Sequence, residues 1–334
     1  MSWAIAKWLK DRTRENQGKI LGFDNNYYKA VLGRGEFIFK ANSEMYGGDI
    51  KSLTTDSDFL YVVGDNVAKV KKLNKSDLSE VAESDVYGTN LNAIESDDDF
   101  VYIGGSGSSP NRIVFKLNKS DLSQVEQSAD YGGTINVLTQ DDDFVYVGGG
   151  TTNKVKKLNK SDLSEVGESE NYGGTIFALT QDDDFVYVGG GTTQKVKKLN
   201  KSDLSEVAES DAYGGFVYAL DNDDDFVYVG GGTTNKVKKL NKSDLSEVGE
   251  SENYGGTIYA LDNDDDFVYV VGSGVNKLKK INKFNLRIDS ESEEYGGIIE
   301  TLTRDDDFVY IGGRNQQKVV SYLGLVDIIG YRRD

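Results

Sequence analysis

Apolar residues in this chain fall into two kinds of run, and polar punctuation separates them. "FVYVGG", Phe144 to Gly149, is apolar at consecutive positions, as a strand buried on both faces requires. "KVKKL" and "LSEV" alternate, as half-solvated strands do, and "TIFAL" is a third short β-rich run. Gly-rich, Asp-rich and Asn-Lys-Ser-Asp stretches stand between them and carry turn chemistry. The pattern predicts a unit of four short strands whose burial declines from the second strand to the fourth.

The unit recurs. The Phe after the acidic turn falls at Phe59, Phe100, Phe144, Phe185, Phe226, Phe267 and Phe308, spaced by 41 residues except for one interval of 44. The Tyr of "YGG" and its one "YGT" copy recurs with the same spacings, from Tyr46 to Tyr295. The longer interval reflects an insertion around Gly104 to Arg112, which holds the only proline, Pro110. A period of about 40 to 45 residues with four strands lies in the propeller range. The expected fold is all-β, a seven-bladed β-propeller of four-stranded antiparallel blades; an open β-solenoid stack is the rival.

Closure is also legible. The seventh unit supplies "IIETL", "DFVYIGG" and "KVVSYL" but no fourth strand, and "EFIFKANSEMYGG", Glu36 to Gly48, aligns with "DLSEVGESENYGG". A strand at about residues 36–41 is therefore expected to complete the last blade and cover its edge. The expected divisions are 1–27, an N-terminal amphipathic docking helix and linker; 28–323, the propeller; and 324–334, a tail that contests the closure. The repeat "TIYALDNDDDFVYVGGGTTNKVKKLNKSDLSEV" resembles the quinoprotein-type (PQQ-like) propeller repeat over about Asp49 to Leu323. That resemblance implies a fold. It implies no quinone, because Trp3 and Trp8 lie outside the repeats and the blade-docking Trp of that family has no counterpart.

Charge and composition then narrow the chemistry. A net charge of −18 works against nucleic acid and anionic lipid as partners. With no Cys and no His, thiolate and imidazole chemistry is absent, leaving acid-pair hydrolysis and oxygen-ligand calcium binding as the surviving options. No secretory signal and no transmembrane segment is expected, which puts the protein in a virion or the cytoplasm. The acidic clusters, such as Asp141 to Asp143, read as hairpin punctuation, with a cation site as the alternative and no cofactor or metal expected. The repeated Tyr reads as a structural corner, with sugar stacking as its alternative.

A sharper signal lies where the copies disagree. One first-strand position reads Lys51, Asn92, Asn136, Phe177, Tyr218, Tyr259 and Glu300 in otherwise near-identical units. These are the candidate ligand-binding residues, for a glycan or a peptide, with a channel plug as the structural alternative. In the N-terminal helix Trp3, Ile5, Trp8 and Leu9 are candidate docking residues for other structural proteins or further copies of the chain. The expected function is a non-catalytic binding and structural module, displayed on a virus particle as a spike, fibre or turret part and serving assembly or attachment to a glycan or cell-surface protein. The alternatives are an interaction scaffold in a salt-adapted cell and a carboxylate-based carbohydrate-active enzyme that would depend on Glu300.

Overall fold

A computed structural model describes residues 37–107 and 112–323. The helix expected at the N-terminus, with Trp3, Ile5, Trp8 and Leu9, lies outside the described residues, as do Pro110 and the tail from residue 324. Twenty-eight strands, β1 (Ile38–Asn42) to β28 (Val320–Leu323), form seven separate four-stranded sheets. The first blade is β2 (Ile50–Thr55), β3 (Phe59–Gly64), β4 (Lys71–Asn74) and β5 (Glu80–Glu83), paired antiparallel in chain order. Five further blades repeat that order. Each first strand touches the first strands of the blades on either side, and β26 (Ile299–Arg304) touches β2, so the ring closes.

The seventh sheet runs β1-β28-β27-β26, where β27 is Phe308–Gly313. The closing strand comes from the N-terminal side, as the alignment expects, and starts two residues later than Glu36. Its register reproduces the other blades. In a regular blade a buried serine accepts a bond from a third-strand amide, Val155 N to Ser169 Oγ at 2.9 Å, and Val319 N makes the same bond to Ser43 Oγ at 2.9 Å. Phe37 packs edge-on against Tyr269 and Tyr322, tying β1 into the core between blades six and seven.

The hydrophobic core is divided among the blade interfaces. Seven apolar clusters form, each drawing on two neighbouring blades; Tyr187, Val196 and Ala178 of the fourth meet Tyr213, Val217 and Val227 of the fifth. This explains the "VYV" run: alternate side chains point to opposite neighbours, so both faces of the second strand must be apolar. The two glycines after it are required by close approach. A Cβ on Gly190 would lie 2.1 Å from the Thr175 carbonyl oxygen, and one on Gly189 would lie 2.4 Å from Val217 Cγ1 of the next blade.

The outermost strand meets solvent on one edge. It carries a bulge at Val166 and its equivalents, because Lys157 pairs with Gly167 and Leu158 with Glu165. Flanking ion pairs, Lys154–Glu168 and Lys156–Glu165, charge the rim, and both devices keep an open edge from pairing with another chain.

Candidate functional site

The acidic turns occupy one face of the disc, and their first aspartate is fully engaged. Asp182 Oδ1 accepts the amides of Asp184 and Phe185 at 3.1 and 2.9 Å, the local bond that makes Asp a turn residue. Its Oδ2 accepts the hydroxyl of Tyr187, a wholly buried side chain, at 2.8 Å. The same oxygen meets Lys242 Nζ of the next blade at 3.0 Å. Burial pushes the Asp182 carboxyl up, but the bonds from Lys242, Tyr187 and the Phe185 amide outweigh it and hold the group below the usual range.

Six blade interfaces carry this aspartate–lysine clasp, including Lys75 to Asp305 across the closure, at 2.5 Å. At the seventh the repeat places Gly324 where the lysine would be, and among the described residues Asp264 is bonded by its turn amides and Tyr269 alone. The sequence points to turn chemistry here, with the Lys of "LNKSDL" on the same face; what it does not show is that the clasp crosses to the next blade, joining residues about 60 positions apart. Among the described residues no group of three acids is arranged to hold a metal ion.

The "YGG" tyrosines are corner residues. Tyr172 is buried, and its hydroxyl donates to the Lys195 carbonyl at 2.6 Å; Tyr46, Tyr131, Tyr213, Tyr254 and Tyr295 make the equivalent bond. They offer no ring faces to a ligand.

The disagreeing first-strand position has a structural cause for its freedom. In β14 (Ile176–Gln181) Ile176 pairs with Gly190 and Ala178 with Gly189, so Phe177 between them is left out of the ladder in a β-bulge. The same shift places Lys51, Asn92, Asn136, Tyr218, Tyr259 and Glu300 at bulges in the other six blades. A bulge turns one side chain away from the sheet faces, so this residue escapes the packing that fixes its neighbours. All seven are half-buried and together ring the axis at the mouth opposite the acidic turns.

Around the mouth the seven residues segregate by chemistry. Phe177 and Tyr218 have ring centroids 5.1 Å apart, and Tyr218 and Tyr259 5.5 Å, so blades four to six carry a continuous aromatic arc. Phe216 extends it, 6.2 Å from Phe177 and 6.1 Å from Tyr218. On blades seven and one, Glu300 is held by Lys51 Nζ at 2.7 Å and by Arg314 Nε at 2.6 Å, and Lys51 also meets Asp65 at 3.3 Å. On blades two and three, Asn92 and Asn136 each donate Nδ2 to a carbonyl of the next blade, Ile135 and Ile176, at 3.0 Å.

A second variable column supports the first. The residue after the second strand is Gly191 beneath Phe177, with a hypothetical Cβ 3.4 Å from the ring, and Gly232 beneath Tyr218, at 3.7 Å. Beside the charged bulge residues the same column holds Asp65 and Arg314. Counter-ions thus accompany ions, and glycine seats two of the three rings; Ser273 stands beside Tyr259, and Ser106 and Gly150 stand beside Asn92 and Asn136. This column, like the one holding Phe216, was readable from the repeat alignment by comparing every position across the seven copies instead of one.

At the axis end nearer the acidic turns, Glu95, Asp221 and Asp262 stand among threonines on the first strands. Burial pushes Glu95 up to about 7 and Asp221 up to about 6, and Asp262 is raised well above its usual range by burial and by Asp221 beside it. Each still has part of its surface open to the channel, and what raises the carboxyls is the protein enclosing that channel. Asn263 Nδ2 donates to Asp221 Oδ2 at 2.5 Å and Arg304 Nε lies 3.4 Å from Asp262 Oδ1, which ties this end to the blade framework.

No protein-family model and no curated protein matches the chain. Among solved structures it is similar to the WD40 β-propeller domain of Doa1, with a TM-score of 0.73 and 12% identity over 87% of this chain and 98% of that one. It is also similar to the computationally designed Ika8 protein, with a TM-score of 0.67 and 12% identity over 86% of this chain and 99% of that one. At that identity the likeness establishes the propeller fold and leaves a quinoprotein-type kinship unshown.

Proposed function

We propose that the protein is a non-catalytic interaction module whose recognition surface is the mouth ringed by the seven bulged residues. One observation carries this reading: the first-strand position that the bulge frees from blade packing differs from blade to blade, and so do the two positions beside it at the same mouth. A side chain needed to build a blade is held in common. One that reads a partner differs from blade to blade, and the half-exposed arc of Phe177, Tyr218 and Tyr259 is the kind of rigid aromatic surface on which binding energy concentrates.

Glu300 supports the non-catalytic reading, because two cations hold it and paired-carboxylate hydrolysis needs a second acid at a defined separation. Turnover of an oligosaccharide that Glu300→Gln abolishes would overturn that part. No helix among the described residues is long and apolar enough to cross a membrane. The expected place on a virus particle draws no support from the propeller or its structural relatives, and the proposal stops at a binding module.

The test is a paired screen of displayed peptides and arrayed glycans with the full chain. Specific hits are expected to disappear in Phe177→Ala and Tyr259→Ala and to survive in Val207→Ser, which changes the exposed rim. Hits that persist in both mouth variants and vanish in the rim variant would refute the assignment.

A further inference from the structure

The mouth has a feature that narrows what it can take. Its charges are spent on one another: Glu300 is shared by Lys51 and Arg314, and Lys51 also reaches Asp65. A ligand recognised by its charge would have to break these pairs, and removing one partner of a half-buried pair leaves the other uncompensated. Apart from Asp49, which stands in blade one where Phe216 stands in blade five and lies close enough to Arg314 to interact with it electrostatically, the remaining surface is neutral. It consists of the faces of Phe177, Phe216, Tyr218 and Tyr259, together with polar atoms that have no protein hydrogen bond among the described residues: the Tyr218 and Tyr259 hydroxyls and the Oδ1 atoms of Asn92 and Asn136.

Those two asparagines are oriented by the carbonyls that their Nδ2 groups bond, so each presents an acceptor from a fixed position. An aromatic wall beside fixed neutral acceptors and free hydroxyls complements a molecule with one apolar C–H face and a rim of hydroxyls. A pyranose ring has that form. A partner peptide using lysine or arginine would gain from the ring faces and from the net charge of −18. At the arc's end it would meet Arg314, whose guanidinium is close enough to Tyr259 for the two to interact electrostatically.

Resting on the reading of the mouth as the recognition surface, we propose that its ligand is an uncharged saccharide, stacked on the Phe177–Tyr218–Tyr259 arc and hydrogen-bonded by the tyrosine hydroxyls and by Asn92 and Asn136. The ion-paired sector of blades seven and one then acts as a wall that limits the size of the bound sugar on that side.

Saturation-transfer NMR with a panel of neutral oligosaccharides, followed by calorimetry of the hits at low and high salt, tests this. Binding is expected to change less than about twofold between 50 and 500 mM salt, since no exposed charge pair is being made. Tyr218→Ala is expected to weaken it by about tenfold or more, and Tyr218→Phe by less, because the stacking face remains. Circular dichroism and a thermal midpoint on each variant separate loss of binding from loss of fold. If no neutral saccharide binds but a lysine- or arginine-rich peptide does, in a salt-sensitive manner lost in Tyr218→Ala, this inference falls and the mouth stands as the recognition surface. If saccharide or peptide hits survive Tyr218→Ala at full affinity, both fall. If nothing in either panel binds, the saccharide proposal is refuted.

Discussion

Replacing Asp182 by Asn removes one negative charge and leaves the turn intact, because Oδ1 remains to accept the amides of Asp184 and Phe185. What is lost is the clasp to Lys242, whose side chain is 13% exposed against 23% for Asp182. A hydrogen bond to a charged group contributes about 1.5–3 kcal/mol, and partial solvent access places this one near the middle, at ~2 kcal/mol. Asp264→Asn is the internal control: the same turn and the same tyrosine bond are present at 2.7 Å, but no lysine. Its cost is expected to be about 1 kcal/mol or less. Urea unfolding of both variants, with Lys242→Met and the Asp182→Asn/Lys242→Met double variant, isolates the pair. A coupling of about 1–2 kcal/mol is expected between residues in direct contact. Equal losses at Asp182 and Asp264, or a coupling below about 0.5 kcal/mol, would refute the claim that the lysine clasps lock neighbouring blades.

Two further outcomes follow from the packing and the titrating groups. Gly190→Ala sets a Cβ against the Thr175 backbone and should cost about 3 kcal/mol, at the upper end for overpacking, whereas Gly191→Ala makes an ordinary contact with Phe177 and should stay within about 0.5 kcal/mol; thermal midpoints of the two variants check this. Stability should peak near about pH 5. The depressed carboxyls of the clasps lose their contribution as pH falls below about 4, while Glu95 and Asp221, raised to about 7 and about 6, take up protons on folding and so cost stability as pH rises through those values. Glu95→Gln should flatten the limb between about pH 5 and 7, and a midpoint that climbs steadily from about pH 5 to 8 in the parent protein would contradict the assignment.

Much of the architecture is written in local patterns. The period of 41, the doubly apolar "VYV" and the in-register closing segment each follow from which residues can face a neighbour, and β1 with Ser43 takes the place the alignment gives it. The bulges left a trace that alternation alone does not interpret. Ile176 and Leu179 are both buried although three positions apart, which a regular strand of period two forbids and one extra residue restores. The lysine clasps were harder to foresee, because Lys242 and Asp182 meet only once the radial packing brings successive blades together. At the mouth, the aromatic trio was readable from one alignment column. The ionic cluster needed a second column, since Arg314 and Asp65 are identified as partners only by the bulge that swings Glu300 and Lys51 toward them.

The mouth as recognition surface is tested most directly by levelling it with residues the protein already uses there. Phe177→Asn, Tyr218→Asn and Tyr259→Asn with Phe216→Thr give blades four to six the bulge residue of Asn136, and give blade five the preceding Thr134 of the third blade, whose backbone has the same bulge. The dissociation constant of whichever ligand the screens deliver, measured on this variant alongside its circular dichroism spectrum, decides the matter. A native-like propeller that has lost binding by a hundredfold or more, about 2.7 kcal/mol, is the predicted result. An unchanged dissociation constant on an intact propeller would contradict it.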